Sequence, residues 1–243
     1  ESIAMNKLGI VKEGVPLVTS IENKSLFPLF SEITAKKDAR LKIVDFSLVS
    51  DIELGEETSF RYRDIPYTIH LTGAHQVKNA CLAIEAIRIL RLMDRTIHVS
   101  EDNISQGLKM TSWPGRFEIF DHHVILDGAH NIGAFQSLKR ALEDIYPDKY
   151  IKCLFCMMKD KEHARVIADL DNVVDEFHFT RIDYPRCADA ALLYEESHHK
   201  RKYLHQDAKQ AFFELRESLK ENEILLVTGS LYFISAIRNL IVN

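Results

Sequence analysis

His123-Val124-Ile125-Leu126-Asp127-Gly128-Ala129-His130-Asn131 is a short apolar run that closes on Asp-Gly. It reads as a strand and the turn that ends it. Downstream, Phe135, Leu138, Leu142 and Ile145 recur at helical spacing, and Pro147 follows. IKCLFCMM (151–158) is a second strand-like run, and Ala164, Ile167 and Ala168 suggest the next helix. EFHFT (176–180) is a third strand. Ala208, Phe212, Leu215 and Leu219 make another stripe, and EILLVTGS (223–230) is a fourth strand. Leu231, Ile234, Ile237 and Ile241 form the last stripe. Strands apolar on both faces and separated by helices imply a parallel sheet covered on both sides. The expected fold class is α/β, with a Rossmann-like, mostly parallel sheet domain over residues 118–243.

The first half is less regular. GVPLVTS (14–20) and LKIVDFSLV (41–49) read as strands. TSFRYRDIPYTIHL (58–71) reads as a hairpin around Arg63, Asp64, Ile65 and Pro66. Val77, Cys81, Ile84 and Ile87 outline a helix, and Ser100 is placed to cap another that carries Ile104 and Leu108. TSWPGR (111–116) breaks the helical pattern through Pro114 and Gly115, which puts the domain junction there. The opening strand has no upstream partner and the strands are few for a stable sheet. Residues 1–114 therefore read as the tail of a larger domain.

The chain has 243 residues and a net charge of -5. That balance argues against a nucleic-acid partner, because neutralising phosphates requires a basic face. No apolar run is long enough to span a bilayer, and Glu1 onward shows no signal-peptide pattern, so neither a membrane nor a secretory role is expected. An opening on Glu1 rather than Met reads as a processed or cropped N-terminus. Of the cysteines Cys81, Cys153, Cys156 and Cys187, the pair 153 and 156 makes a C-x-x-C. A metal or redox reading needs a second ligand pair or an exposed helix start. Inside IKCLFCMM these read as buried core thiols, which fits a reducing, cytoplasmic location.

Five segments carry candidate chemistry. Asp127 ends a strand, where ligands of open α/β sheets sit, and its carboxylate can accept two ribose hydroxyls. His130 and Asn131 open a helix, whose free N–H groups favour an anion. The same residues read as a turn and a plain N-cap. Arg116, just after the Pro-Gly break, suits a bidentate phosphate contact or is a surface arginine. In Gly73-Ala74-His75-Gln76-Val77-Lys78-Asn79-Ala80, Gln and Asn can read the edge of an adenine or simply cap the helix. Lys7 and Lys12, with glycines about them, mean little alone. Gly229-Ser230-Leu231-Tyr232 opens the final helix and can hold a carboxylate, or is a bare strand-to-helix turn.

In this order, IAMNKLGIVKEGVPLV (3–18), HQVKNACLAIEAIRIL (75–90), WPGRFEIF (113–120), ILDGAHN (125–131), MMKDKE (157–162) and VTGSLYFISAIR (227–238) resemble the folylpolyglutamate synthase and dihydrofolate synthase family of the Mur ligase superfamily. The resemblance runs from Glu1 to the C-terminus. The family needs a G-K-[ST] P-loop to cradle ATP phosphates, and none occurs here. Ile132 stands where the family has Pro after DGAHN.

The resemblance implies that residues 1–114 are the end of a P-loop-type Mur ligase central domain. It implies an ATP- and Mg²⁺-dependent ligase that adds L-glutamate to a folate, or to dihydropteroate, through an acyl phosphate, as a cytoplasmic monomer. This chain alone is expected to be inactive. By position, Asn79 resembles the adenine contact, Arg116 the arginine on the ATP phosphates, and Asp127 the ribose ligand. His130 resembles the residue facing the γ-phosphate and acyl phosphate. Lys7 matches a lysine that the family carbamylates near a second Mg²⁺ site, and Ser230 lies near the incoming glutamate. The alternatives are another Mur-type amino-acid ligase, favoured less by HQ before Asn79 and by GSLY, and a non-catalytic nucleotide-binding module.

Overall fold

A computed structural model describes residues 2–242; Glu1 and Asn243, the outer ends of the two expected domains, lie outside them. The chain forms two compact units. One comprises Glu1–Glu53, Glu57–His70 and Ala74–Thr111, the other Leu54–Glu56, Leu71–Gly73 and Ser112–Asn243.

The first unit holds α1 (Ser2–Leu8), β1 (Leu17–Thr19), α2 (Phe27–Lys36), β2 (Leu41–Ile43), β3 (Val49–Glu53), β4 (Thr58–Tyr62), β5 (Ile65–Ile69), α3 (Ala74–Met93) and α4 (Glu101–Met110). β1 pairs with β2 in parallel, and β3, β4 and β5 form an antiparallel sheet. The expected hairpin is β4–β5, closed by Arg63 (φ 53°) and Asp64 (φ 63°). Two positive φ values in a two-residue loop match the right-handed twist of the strands. LKIVDFSLV is not one strand. Asp45 accepts the Ser47 N–H and caps a 3₁₀ turn at Phe46–Leu48, which separates β2 from β3. Ser100 caps α4 reciprocally with Asn103. On α3, buried Glu85 accepts from the Tyr62 hydroxyl at 3.0 Å and pairs with Arg63 at 3.0 Å and Lys42 at 3.3 Å.

The second unit holds β6 (Glu118–Phe120), β7 (Val124–Asp127), α5 (Ile132–Ile145), β8 (Tyr150–Phe155), α6 (His163–Leu170), β9 (Glu176–Phe179), α7 (Ala190–Glu196), β10 (Lys202–Leu204), α8 (Ala208–Glu217), β11 (Glu223–Thr228) and α9 (Leu231–Val242). The sheet order is β10-β9-β8-β11-β7-β6, parallel except for the β6 edge. Alternate residues of each central strand face opposite layers, as the pleat requires. Ile125, Cys153, Phe155 and Leu226 enter one core with Phe135, Leu138, Ile167 and Leu193 of α5, α6 and α7. Leu126, Leu154, Leu225 and Val227 enter the other with Phe212 of α8 and Ile234 and Ile237 of α9. Leu219 falls beyond α8, whose C-cap is Ser218. Chain order runs outward from β7 through β8 and β9 to β10, then returns to place β11 between β8 and β7. The loops after β7, β8 and β11 thus leave neighbouring strands on one edge, the place where open α/β sheets bind ligands. Among the described residues no helix is long and apolar enough to cross a membrane.

Candidate functional site

Asp127 is the last residue of β7, and Asn131 caps α5 by accepting the Ala134 N–H at 3.0 Å. The Asp127 carboxylate accepts two backbone N–H groups, from Ala129 at 2.8 Å and from Phe117 at 2.9 Å. One bond goes to each oxygen, which leaves each a further lone pair. Burial raises its pKa to about 6, against the pull of these N–H groups and of the Arg116 and His130 charges. His130 Nδ1 lies 2.9 Å from the Gly128 carbonyl. A carbonyl only accepts, so Nδ1 carries a hydrogen and Nε2 is the other ring nitrogen.

Three motifs distant in sequence meet here. The Gly128 N–H donates to the Gly115 carbonyl at 2.7 Å, which ties the WPGR turn to the DGAHN loop. Leu231, from the GSLY loop, lies over Gly128: a Cβ there would come within 2.3 Å of Leu231 Cδ2. Gly229 itself (φ +116°) is seated against the Cys156 carbonyl at the end of β8. Arg116 is exposed, its guanidinium 5.7 Å from the Trp113 ring centroid.

Beside His130 opens a cavity of about 440 Å³, walled in part by Asn131, Met157, Asp160, Lys161 and Glu162. The MMKDKE and DGAHN motifs therefore share one space. Asp160, Lys161 and Glu162 had carried no individual role in the sequence reading, although the motif that contains them was visible. Their mixed charge at the end of a central strand was the available signal.

Ser230 is buried, and its hydroxyl accepts the Tyr232 N–H at 3.2 Å. That bond helps start α9 and leaves the O–H free to donate. Tyr232 stacks on Tyr184 at 4.2 Å beside a separate cleft of about 700 Å³. The remaining two expected residues belong to the first unit. Asn79 is exposed on α3 and donates to Gln76 Oε1 at 2.9 Å, while the buried Gln76 Nε2 has no hydrogen-bond partner. Lys7 is exposed in the last turn of α1 and lines a largely apolar cavity of about 420 Å³ with Leu8, Leu17 and Phe30.

Residues 115–231, which span these motifs, match the family described as Mur ligase, glutamate ligase domain. The chain is 32% identical over 249 residues to the dihydrofolate synthase/folylpolyglutamate synthase of Bacillus subtilis, covering 98% of this chain and 57% of the relative. Residues 115–231 belong to the Mur ligase glutamate-ligase domain family, and the chain as a whole is similar to folylpolyglutamate and dihydrofolate synthases. It is also 27% identical to the folylpolyglutamate synthase of Lacticaseibacillus casei, covering 98% of this chain and 56% of the relative. A crystal structure of folylpolyglutamate synthase from Thermotoga maritima superposes with a TM-score of 0.82 at 27% identity, covering 98% of this chain and 57% of that one. Escherichia coli FolC in complex with DHPP and ADP shares the fold, with a TM-score of 0.82 at 23% identity over 99% of this chain and 56% of that one. The chain thus spans a little over half the length of the family members it matches.

Proposed function

We propose that the intact protein is a folylpolyglutamate synthase, an ATP-dependent ligase that joins L-glutamate to a folate carboxylate, and that dihydropteroate is a further acceptor. In this reading Ser112–Asn243 is the glutamate-ligase domain, and the preceding unit is the end of a P-loop-type central domain. The observation that carries it is the meeting of WPGR, DGAHN and GSLY at the carboxyl ends of β7 and β11, beside a cavity of mixed charge.

The residues present fit a nucleotide. The Arg116 guanidinium is exposed and planar, suited to phosphate oxygens. Asp127 keeps lone pairs for ribose hydroxyls. The unmet donor of buried Gln76, next to Asn79, supports an adenine contact on α3, since buried polar groups are rarely left unpaired. Bound ATP would supply the phosphoryl group that activates the substrate carboxylate as an acyl phosphate. Arg116 offsets the charge that develops on the phosphoryl oxygens, and catalysis of this class rests on such positioning. His130 lines the cavity and holds a hydrogen at Nδ1 against the Gly128 carbonyl, which leaves Nε2 as its other ring nitrogen. The cavity suits zwitterionic L-glutamate, with Lys161 for a carboxylate and Asp160 or Glu162 for the ammonium. Ser230 fixes the start of α9 through its oxygen and keeps its O–H donor for the glutamate.

Among the described residues no group of three or more His, Cys, Asp or Glu side chains is gathered at one place. A Mg²⁺ bound with ATP asks for only one or two protein carboxylates beside phosphate and water oxygens. A carbamate on Lys7 would place an anion at the end of α1, and its role rests on the resemblance alone.

The test is incorporation of isotope-labelled glutamate by the intact natural protein with ATP and a reduced folate. Arg116→Ala should lower turnover by about 10²-fold or more, as expected when a transition-state charge contact is lost. Its melting temperature should not change, because the side chain is exposed. Unchanged kinetics would reduce Arg116 to a surface residue. An intact protein that extends a different acceptor, or incorporates no glutamate, would overturn the reading.

A further inference from the structure

We propose that Cys156 and Cys187 form a redox-reactive dithiol, which a peroxide converts to an intramolecular disulfide while the protein stays folded. The C-x-x-C spacing points elsewhere, to Cys153 and Cys156. Those two lie in opposite cores, Cys153 with α5 and α6, Cys156 with α8 and α9. Across the fold, Cys156 Sγ lies 3.4 Å from Cys187 Sγ. A disulfide bond is about 2.05 Å, so closure needs a movement of about 1.4 Å.

The flanking backbone already holds the two segments side by side. Met158 bridges Cys187 in antiparallel fashion, and the Ala188 N–H donates to the Met157 carbonyl at 2.9 Å. The Lys159 N–H donates to the Arg186 carbonyl at 2.8 Å, and Arg186 pairs with Asp160 at 2.9 Å. Cross-linking residues that are already neighbours asks for little native rearrangement, the usual obstacle to a new disulfide.

The two sulfurs are also differentiated. Cys187 keeps 7% of its surface exposed, on a loop whose Asp183, Pro185 and Arg186 are exposed, whereas Cys156 is fully buried. The Ile182 N–H points at Cys187 Sγ at 3.5 Å. The Cys156 S–H, that N–H and the charges of Arg181 and Lys159 pull the Cys187 thiol below the ordinary range, against the effect of burial, while Cys156 is pushed up. The less buried of two adjacent thiols, with its pKa lowered, is the one placed to attack, and the other to resolve.

The chemistry balances with hydrogen peroxide as oxidant. The Cys187 thiolate attacks one peroxide oxygen, the O–O bond breaks, and Cys187 becomes a sulfenic acid as hydroxide leaves. That hydroxide takes the Cys156 proton and becomes water. The Cys156 sulfur then attacks the Cys187 sulfur, the S–O bond breaks, and the departing hydroxide is protonated to a second water. Two thiols and one peroxide give one disulfide and two waters, the sulfurs losing the two electrons that the peroxide gains. The proposal does not depend on the ligase reading.

The experiment treats the reduced chain with a small excess of hydrogen peroxide under native conditions. Peptide mapping without reductant follows. The expected result is a single cross-linked peptide pair joining Cys156 to Cys187, with free thiols falling from four to two. Circular dichroism should remain that of the folded protein. Cys187→Ser should abolish the cross-link, and Cys153→Ser should leave it intact. Mapping of the parent chain is decisive even if a variant folds poorly. Four surviving thiols, sulfinic acid at Cys187, or a link through Cys81 or Cys153 would each overturn the proposal.

Discussion

Replacing Gly229 with alanine should be the most damaging single methyl addition in the loops of the candidate site. Its φ of +116° is a backbone conformation that L side chains rarely adopt. Holding a non-glycine residue there costs about 1–3 kcal/mol. The added Cβ would also stand 2.4 Å from the Cys156 carbonyl oxygen and 3.0 Å from its carbon. That wall is main chain. Cys156 donates its N–H to the Thr228 carbonyl at 3.2 Å, and β8 and β11 are paired along their length. It cannot step aside without breaking the sheet, which adds about 1–3 kcal/mol, as for an overpacked core. The sum is roughly 2–6 kcal/mol. Gly128→Ala is the matched control. Its Cβ would approach Leu231 Cδ2 even more closely, at 2.3 Å. Leu231, however, is 54% exposed and free to rotate away. The expected cost is about 1 kcal/mol or less, because alanine also restricts the unfolded chain. Urea unfolding of the two variants, followed by far-UV circular dichroism, separates these cases. With a slope of about 1–3 kcal/mol per molar urea, Gly229→Ala should lower the midpoint on the order of 2 M. A Gly229→Ala midpoint close to the parent, or a Gly128→Ala variant that is the weaker of the two, would refute the claim that backbone rigidity, not distance, sets the cost.

Asp127 and Glu85 should leave opposite signatures in stability against pH. Burial raises Asp127 from 3.8 to about 6. The folded state therefore holds a proton that the unfolded state has released, and the associated stability is full below about pH 4 and lost as pH rises through about 6. At about 1.4 kcal/mol per pKa unit the change is roughly 3 kcal/mol. Subtracting the urea stability of Asp127→Asn from that of the parent, between pH 4 and 7, should show this decline; a flat difference would remove the buried-carboxylate account. Glu85 is pulled up by burial, but the Tyr62 hydroxyl with Lys42 and Arg63 brings it below its usual 4.5. Its stabilisation is present above that value and lost as pH falls below it. Glu85→Ala, which leaves the buried Tyr62 hydroxyl without its acceptor and removes the anion shared by half-exposed Lys42 and Arg63, should cost about 1–3 kcal/mol near pH 7. A loss under about 1 kcal/mol in thermal or urea unfolding would show that these cations are satisfied by solvent.

The elements of the second unit that could be read in advance were those buried on both faces. VIL (124–126), CLF (153–155) and ILLV (224–227) are apolar without interruption because helices cover both sides of the central strands. The edge strand β10 (Lys202–Leu204) is partly to fully exposed and carries no such run. The seven-residue α7 is too short for a clear stripe, and its start is fixed by Asp189, which accepts the Ala191 N–H. In the first unit, one aspartate decides what hydropathy does not show. LKIVDFSLV has the composition of a strand, and a local side-chain cap at Asp45 turns its middle into a 3₁₀ turn. Such local bonds compete with a sheet ladder whatever the surrounding apolarity.

The same contrast separates the chemistry of the site from its support. Asp127, His130 and Arg116 each had a plain structural reading in the sequence, and the order of the motifs that carry them singled them out. What holds them in register is nearly all main chain: the Gly128 N–H on the Gly115 carbonyl, two N–H groups on the Asp127 carboxylate, and Gly229 against Cys156. Backbone groups are the same in every sequence, so no pattern of residue types announces them. Ser230 shows the consequence. Its hydroxyl oxygen accepts the Tyr232 N–H at the start of α9, a supporting bond that the residue types do not announce, and it keeps its own O–H to donate. An unmet N–H there would cost about 1–3 kcal/mol. The pairing of Cys156 with Cys187 follows the same logic. Residues three apart on a strand point to opposite faces, so the C-x-x-C spacing kept Cys153 and Cys156 apart while a bridge from a distant loop brought Cys187 within 3.4 Å.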